Sequence, residues 1–186
     1  MNRRVYLDHN ASTPVHPEVV EAMLPYFSER FGNPSSVHGF GREAREGLET
    51  AREQVAHFLR VGKEEIVFTS GGTESDNLAI KGVAMGRRRG HVITSKIEHH
   101  AVLRAVQSLE TLGFETTYLD VDGDGLVDPE AVRRAIRPDT VLISVMHANS
   151  EVGTIQPVGE IGAIARQHGI PLHVDAVMNR DRKSVV

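Results

Sequence analysis

Two adjacent glycines open the run Ser70-Gly71-Gly72-Thr73-Glu74-Ser75-Asp76-Asn77, which leads into a helix predicted from Leu78. Glycine lets backbone N–H groups approach a ligand closely, and a helix start presents unpaired donors with a partial positive charge. Such a place favours a phosphate by roughly 0.3–2 kcal/mol from the dipole alone. The run lacks the Gly-Lys-Ser/Thr ending of a nucleotide-binding loop and is not a GxGxxG dinucleotide fingerprint. Taken alone, it reads equally well as a plain glycine-rich strand–helix turn.

Three further segments carry reactive or polar groups just after an apolar run. Ser95-Lys96-Ile97-Glu98-His99-His100 holds adjacent histidines, suited to a metal, to base chemistry or to stacking on a ring. Neighbours on a helix point different ways, so His99 and His100 do not readily share one ion. With no cysteine in the chain and no HExxH or HxxEH spacing here, no metal site is expected. Met146-His147-Ala148-Asn149-Ser150-Glu151-Val152-Gly153 offers Asn149 as an uncharged donor and acceptor at a strand tip. Asp175 ends the apolar run Pro171–Val174, where a carboxylate needs either a partner or a helix to cap. Asp120-Val121-Asp122-Gly123-Asp124-Gly125 looks like the opening of a calcium loop. Its twelfth position is Ala131, Pro129 interrupts it and a strand precedes it, so a polar turn is expected instead.

Something must hold these segments at one place, and the periodicity of the chain indicates what. Short apolar runs at 66–69, 91–94, 116–119, 141–145 and 171–174 read as strands. Helical patterns at 101–112 and 158–168 lie between them, and Asp128-Pro129 supplies an N-cap and a first-turn proline for another. Alternating strands and helices predict βαβ units and a mainly parallel sheet, an α/β fold. In such sheets ligands bind beyond the carboxyl ends of the strands, which is where the four segments fall. Upstream, a helix follows Pro17 through Val19, Ala22, Met23, Tyr26 and Phe27; Gly32-Asn33-Pro34 ends it, and a second helix runs from about Arg42 to Leu59. Arg87-Arg88-Arg89 reads as a solvated helix end.

Composition narrows the function classes. A net charge of −4 gives no reason to expect nucleic acid as a partner, and no apolar run is long enough to cross a bilayer. Without cysteine there is no disulfide framework and no thiol nucleophile among these residues. A soluble, cytoplasmic protein is the expectation, with no membrane partner.

In combination the segments resemble the cysteine desulfurases, the class V, aminotransferase-like group of fold-type I pyridoxal 5'-phosphate (PLP) enzymes. The residues that carry the resemblance are Tyr6 to Pro14 (YLDHNASTP), Phe31 to His38 (FGNPSSVH), Phe68 to Leu78 (FTSGGTESDNL), Glu98-His99-His100-Ala101-Val102, Met146 to Gly153 and His173-Val174-Asp175-Ala176. They stand in the family's order from about Tyr6 to Val177. The resemblance implies a large domain with a mainly parallel sheet and flanking helices. It implies that Gly72 and Thr73 hold the cofactor phosphate and that His99 stacks on the ring and takes part in proton transfer. Asn149 would bond to the side of the phenolic oxygen, and Asp175 would pair with the pyridine nitrogen. Opposite charges ~4 Å apart at an effective dielectric of ~20 attract by roughly 4 kcal/mol, about three pKa units before desolvation. A carboxylate there keeps the ring protonated at neutral pH.

The implied activity removes sulfur from L-cysteine, giving L-alanine and an enzyme persulfide for iron–sulfur cluster or thiolation pathways. Sulfur-acceptor or scaffold proteins and a homodimer are the implied partners. A selenocysteine lyase or another class V enzyme, and a non-catalytic binding protein, are the alternatives. The family's covalent lysine and its sulfur-accepting cysteine are not found at matching positions. Lys183, eight positions past Asp175 and without an apolar strand around it, is not expected to serve. Met178 stands where the family usually has glutamine. These departures predict a truncated, inactive piece: an N-terminal segment at 1–13, a partial PLP-binding domain at 14–177, and a non-family tail at 178–186 expected to be a sequence artefact. In this fold the strand at 66–69 pairs with the sheet's last strand, so it is expected to stand unpartnered with apolar surface exposed.

Overall fold

A computed structural model of the chain describes residues 4–178. It comprises two compact units, residues 1–68 and 69–186.

The first unit is helical. The single helix predicted after Pro17 is two, α1 (Pro17–Met23) and α2 (Pro25–Ser28). Pro25 has no N–H to continue the ladder, so the chain restarts there with proline at the first helical position. Helix α3 (Gly39–Leu59) begins three residues before the predicted start, because Nδ1 of His38 accepts the Gly41 N–H at 3.3 Å and caps it. Gly47 of α3 lies against Tyr26, whose hydroxyl would be 2.4 Å from any Cβ built there. Residues 66–69, predicted as a strand, form none and pair with nothing in a ladder among the described residues. Val67 and Phe68 are exposed. Strand geometry depends on a neighbour for its hydrogen bonds, and the apolar pattern of this segment does not supply one.

The second unit is the predicted α/β layer structure. Strands β1 (His91–Ser95), β2 (Glu115–Leu119), β3 (Thr140–Ser144) and β4 (Leu172–His173) form one parallel sheet in the order β2-β1-β3-β4. Helices α4 (Gly72–Met85), α5 (His100–Glu110), α6 (Pro129–Ala135) and α7 (Val158–Gln167) cover it. Alternation along the strands divides the core. Val92 and Leu142 pack with Ile80 of α4 and Val102, Val106 and Leu109 of α5. Their neighbours Ile93 and Ile143 pack with Val132 of α6 and Ile161 and Ala165 of α7. All six side chains of β1 and β3 from Val92 to Thr94 and from Leu142 to Ser144 are buried, as expected for strands covered on both faces. From β1 the chain steps to β2 on one side and then returns to β3 on the other. The crevice beyond the tips of β1 and β3 is therefore the topological switch point, where ligands of such sheets bind.

Asp128 caps α6 as its sequence implies, accepting the Glu130 N–H at 2.9 Å ahead of Pro129. The Asp122 carboxylate accepts the N–H groups of Asp124 and Leu126 at 2.9 and 2.8 Å, so its charge serves the turn. The three arginines at 87–89 follow the end of α4 and lie outside its last turn.

Candidate functional site

Helix α4 starts at Gly72, six residues earlier than predicted, so Gly72 and Thr73 belong to its first turn. The polar run that looked like a loop is a helix start: Glu74 reaches back and accepts the N–H and hydroxyl of Ser70 at 2.7 and 2.6 Å. Those two bonds hold the Glu74 carboxyl below its usual range. The first N–H groups of α4 have no partner within the helix and are available to an anion.

From β1 the chain passes through Glu98 to His99, the N-cap of α5. Nδ1 of His99 accepts the Ala101 N–H at 3.1 Å. In the neutral ring the proton therefore sits on Nε2, and the imidazole is exposed. The His99 and His100 rings are 6.2 Å apart and tilted by 54°, a poor arrangement for sharing an ion. Among the described residues no cluster of three or more His, Asp or Glu side chains is placed to hold a metal.

Past β3, Asn149 donates through Nδ2 to the Ile97 carbonyl at 3.1 Å and accepts the N–H groups of Glu151 and Val152 through Oδ1. It thereby fixes the segment after β3 against the segment after β1. The backbone continues the β3–β4 ladder past the strand ends: His147 N–H donates to the Asp175 carbonyl at 2.8 Å. The Asp175 carboxylate, half-buried, accepts the Val177 N–H at 3.1 Å. Val177 lies against the start of α4, its Cγ2 3.1 Å from where a Cβ on Gly72 would stand.

These contacts bring Gly72, Thr73, Asn149 and Asp175 to one end of the sheet, with His99 at the tip of β1. Three groups there were not singled out from sequence. Glu98 is buried, with Oε1 accepting the Ser95 hydroxyl at 2.6 Å and the Met146 N–H at 2.9 Å, while Oε2 has no partner. Burial pushes its carboxyl up to about 7; the Ser95 and Met146 hydrogen bonds oppose this, and the neighbouring Asp175 charge adds to it. His173 and Asp76 form the second and third, with Nε2 of His173 3.4 Å from Oδ1 of Asp76. The available signal was a histidine inside an apolar strand and an acid one turn into a helix. The expectations for Lys183 and for the tail beyond Met178 fall outside the described residues.

In type, these residues suit a phosphate ester and a pyridine ring such as those of PLP. A glycine that admits no larger side chain without displacing Val177 sits at a helix start, and a carboxylate stands two residues away from that same valine.

Comparison with known proteins agrees with this architecture. The family model described as aminotransferase class-V matches residues 5–184. The chain is 56% identical over 179 residues to the cysteine desulfurase IscS of Dictyoglomus turgidum, covering 95% of this chain and 45% of that protein. A solved NifS-like protein superposes with a TM-score of 0.92 at 44% identity, covering 95% of this chain and 50% of the other. SspA, solved in complex with cysteine, superposes with a TM-score of 0.88 at 46% identity, covering 91% and 49%. The chain thus spans about half the length of the relatives it matches.

Proposed function

The chain belongs to the aminotransferase class-V family, and on that footing we propose that it forms the PLP-facing part of a cysteine desulfurase. The protein would act on L-cysteine, releasing L-alanine and passing sulfur to an acceptor or scaffold protein. The observation that carries the reading is the joining of Asp175 to the start of α4 through Val177.

PLP, when bound, supplies an electron sink for charge developing on the substrate. The residues of this chain prepare the place. Backbone N–H groups of Gly72 and Thr73, with the Thr73 hydroxyl, hold the phosphate oxygens. The Asp175 carboxylate keeps a proton on the ring nitrogen. Asn149 would hydrogen-bond on the phenolic-oxygen side, and His99 would stack on the ring with Nε2–H available for proton transfer. Burial raises the Glu98 carboxyl to about 7, so below that pH it adds little negative charge beside Asp175. The 186 residues contain no cysteine, so the sulfur-accepting thiol is not among them. A homodimer in the cytoplasm, with no nucleic acid or membrane partner, completes the proposal. Among the described residues no helix is long and apolar enough to cross a membrane.

Phosphorus NMR of PLP tests the phosphate assignment. Addition of the chain is expected to shift the ester resonance and suppress its titration near neutral pH. Substitution Thr73→Val is expected to reduce the shift. A resonance that titrates unchanged in the presence of excess chain contradicts the assignment.

A further inference from the structure

His173, Asp76 and Ser144 make a buried tie that none of the assigned roles uses. Nδ1 of His173 is 2.9 Å from the Ser144 hydroxyl on β3, and Nε2 is 3.4 Å from Oδ1 of Asp76 on α4. Serine, histidine and aspartate in this order suggest nucleophilic chemistry, but Ser144 is wholly buried and Asp76 nearly so. No substrate reaches that hydroxyl. A buried carboxylate needs a partner, and His173 stands beside that of Asp76.

The location of the tie gives it a purpose. Asp76 is one helical turn beyond Gly72, and His173 is two residues before Asp175. A second contact joins the same two elements, Val177 against Gly72. Residues 173 and 177 thus meet residues 76 and 72, with Asp175 between the two contacts. The chain leaving β4 runs along the first turn of α4 in the opposite direction and is held at both ends.

We propose, resting on the PLP reading above, that His173 is a positioning residue which, through Asp76, fixes the separation of Asp175 from the phosphate-gripping start of α4. The site is thereby made selective for a ligand carrying both a pyridine nitrogen and a phosphate ester. Without the tie, the β4 tip can shift against α4. A displacement on the order of 1 Å penalises a ligand held at two points far more than one held at a single point. PLP is held at both points, whereas pyridoxal, lacking the ester, keeps Asp175 and the ring contacts but not the grip at the start of α4.

Equilibrium dialysis of the full 186-residue chain with PLP, and separately with pyridoxal, provides the test. The unaltered chain is expected to bind PLP at least about thirtyfold more tightly than pyridoxal. His173→Ala and Asp76→Ala are each expected to cut that ratio about tenfold while pyridoxal affinity stays within about twofold. His173→Gln, whose amide can donate to Asp76 and accept from Ser144, is expected to recover most of the ratio. A role in stability alone lowers both affinities together and leaves the ratio intact. Equal weakening, or loss of both probes in both alanine variants, overturns the proposal. An unaltered chain that binds PLP no more tightly than pyridoxal overturns the parent reading, and the proposal falls with it.

Discussion

The Met146 backbone N–H donates to Oε1 of Glu98 at 2.9 Å, joining the tip of β3 to the segment after β1. Asn149 makes a second brace across the same gap through its bond to the Ile97 carbonyl. The two bonds hold His99 and Asn149 on either side of the switch point. Their cost is a carboxyl group placed in the interior with one oxygen unserved.

That carboxyl makes stability depend on pH in a defined direction. Glu98 titrates at about 7 when folded and near 4.5 when unfolded, so the folded state holds the extra proton. Stability is therefore greatest with respect to this group below about 4.5 and falls as pH rises to about 7. Glu98→Gln is expected to raise stability at pH 8 by up to about 3 kcal/mol and to remove this slope. Urea denaturation at pH 5 and pH 8 measures both effects. A variant less stable than the parent at pH 8 contradicts the account.

His91 acts in the opposite sense. Its ring is buried at the other end of the sheet, 2.9 Å from the Thr140 hydroxyl and 2.8 Å from that of Thr117, spanning three strands. Burial, with the Arg137 charge second, lowers its pKa. The unfolded chain takes up this proton first, so stability is full above about 6.5 and declines as pH falls below it. His91→Gln is expected to cost roughly 1–3 kcal/mol at pH 7.5 and to flatten the acid limb relative to the parent. An acid limb unchanged by the substitution assigns the effect elsewhere.

Gly72 and Val177 are expected to be coupled. A Cβ at position 72 would meet Val177 Cγ2 at 3.1 Å, but Val177 is 71% exposed and free to yield. Gly72→Ala should therefore change stability by less than about 1 kcal/mol, the gain in helix propensity offsetting the crowding. PLP affinity should fall severalfold as Val177 moves, and Val177→Ala in the same chain should restore part of it. A double variant whose affinity loss is the sum of the single losses shows that the two residues act separately.

Much of this was legible in the sequence because periodicity reports burial. The apolar runs at 91–94 and 141–145 located two central strands, and Asp128-Pro129 located a helix start to the residue. The start of α4 was misplaced because Thr73, Glu74, Ser75 and Asp76 look like loop residues. Their polarity suits a first turn, where Glu74 bonds to Ser70. Residues 66–69 have a strand's composition, but composition does not provide a neighbouring ladder. The site followed the same rule. Asp175 and Gly72 could be named from their order along the chain, whereas the raised pKa of Glu98 comes from burial in the folded chain, with the charge of Asp175, 77 residues away, adding to it. His173 and Asp76 become a pair only when β4 is laid beside α4.

The central claim is that Asp175 and the first turn of α4 serve one bound PLP. It is tested most directly by equilibrium dialysis of PLP against the full chain and its Asp175→Ala variant at pH 7.5. The account predicts saturable binding near one equivalent for the unaltered chain, and affinity at least about tenfold weaker for Asp175→Ala, from loss of a charge-assisted contact. Saturable binding that is equally tight in the variant, or no saturable binding by the unaltered chain, contradicts it.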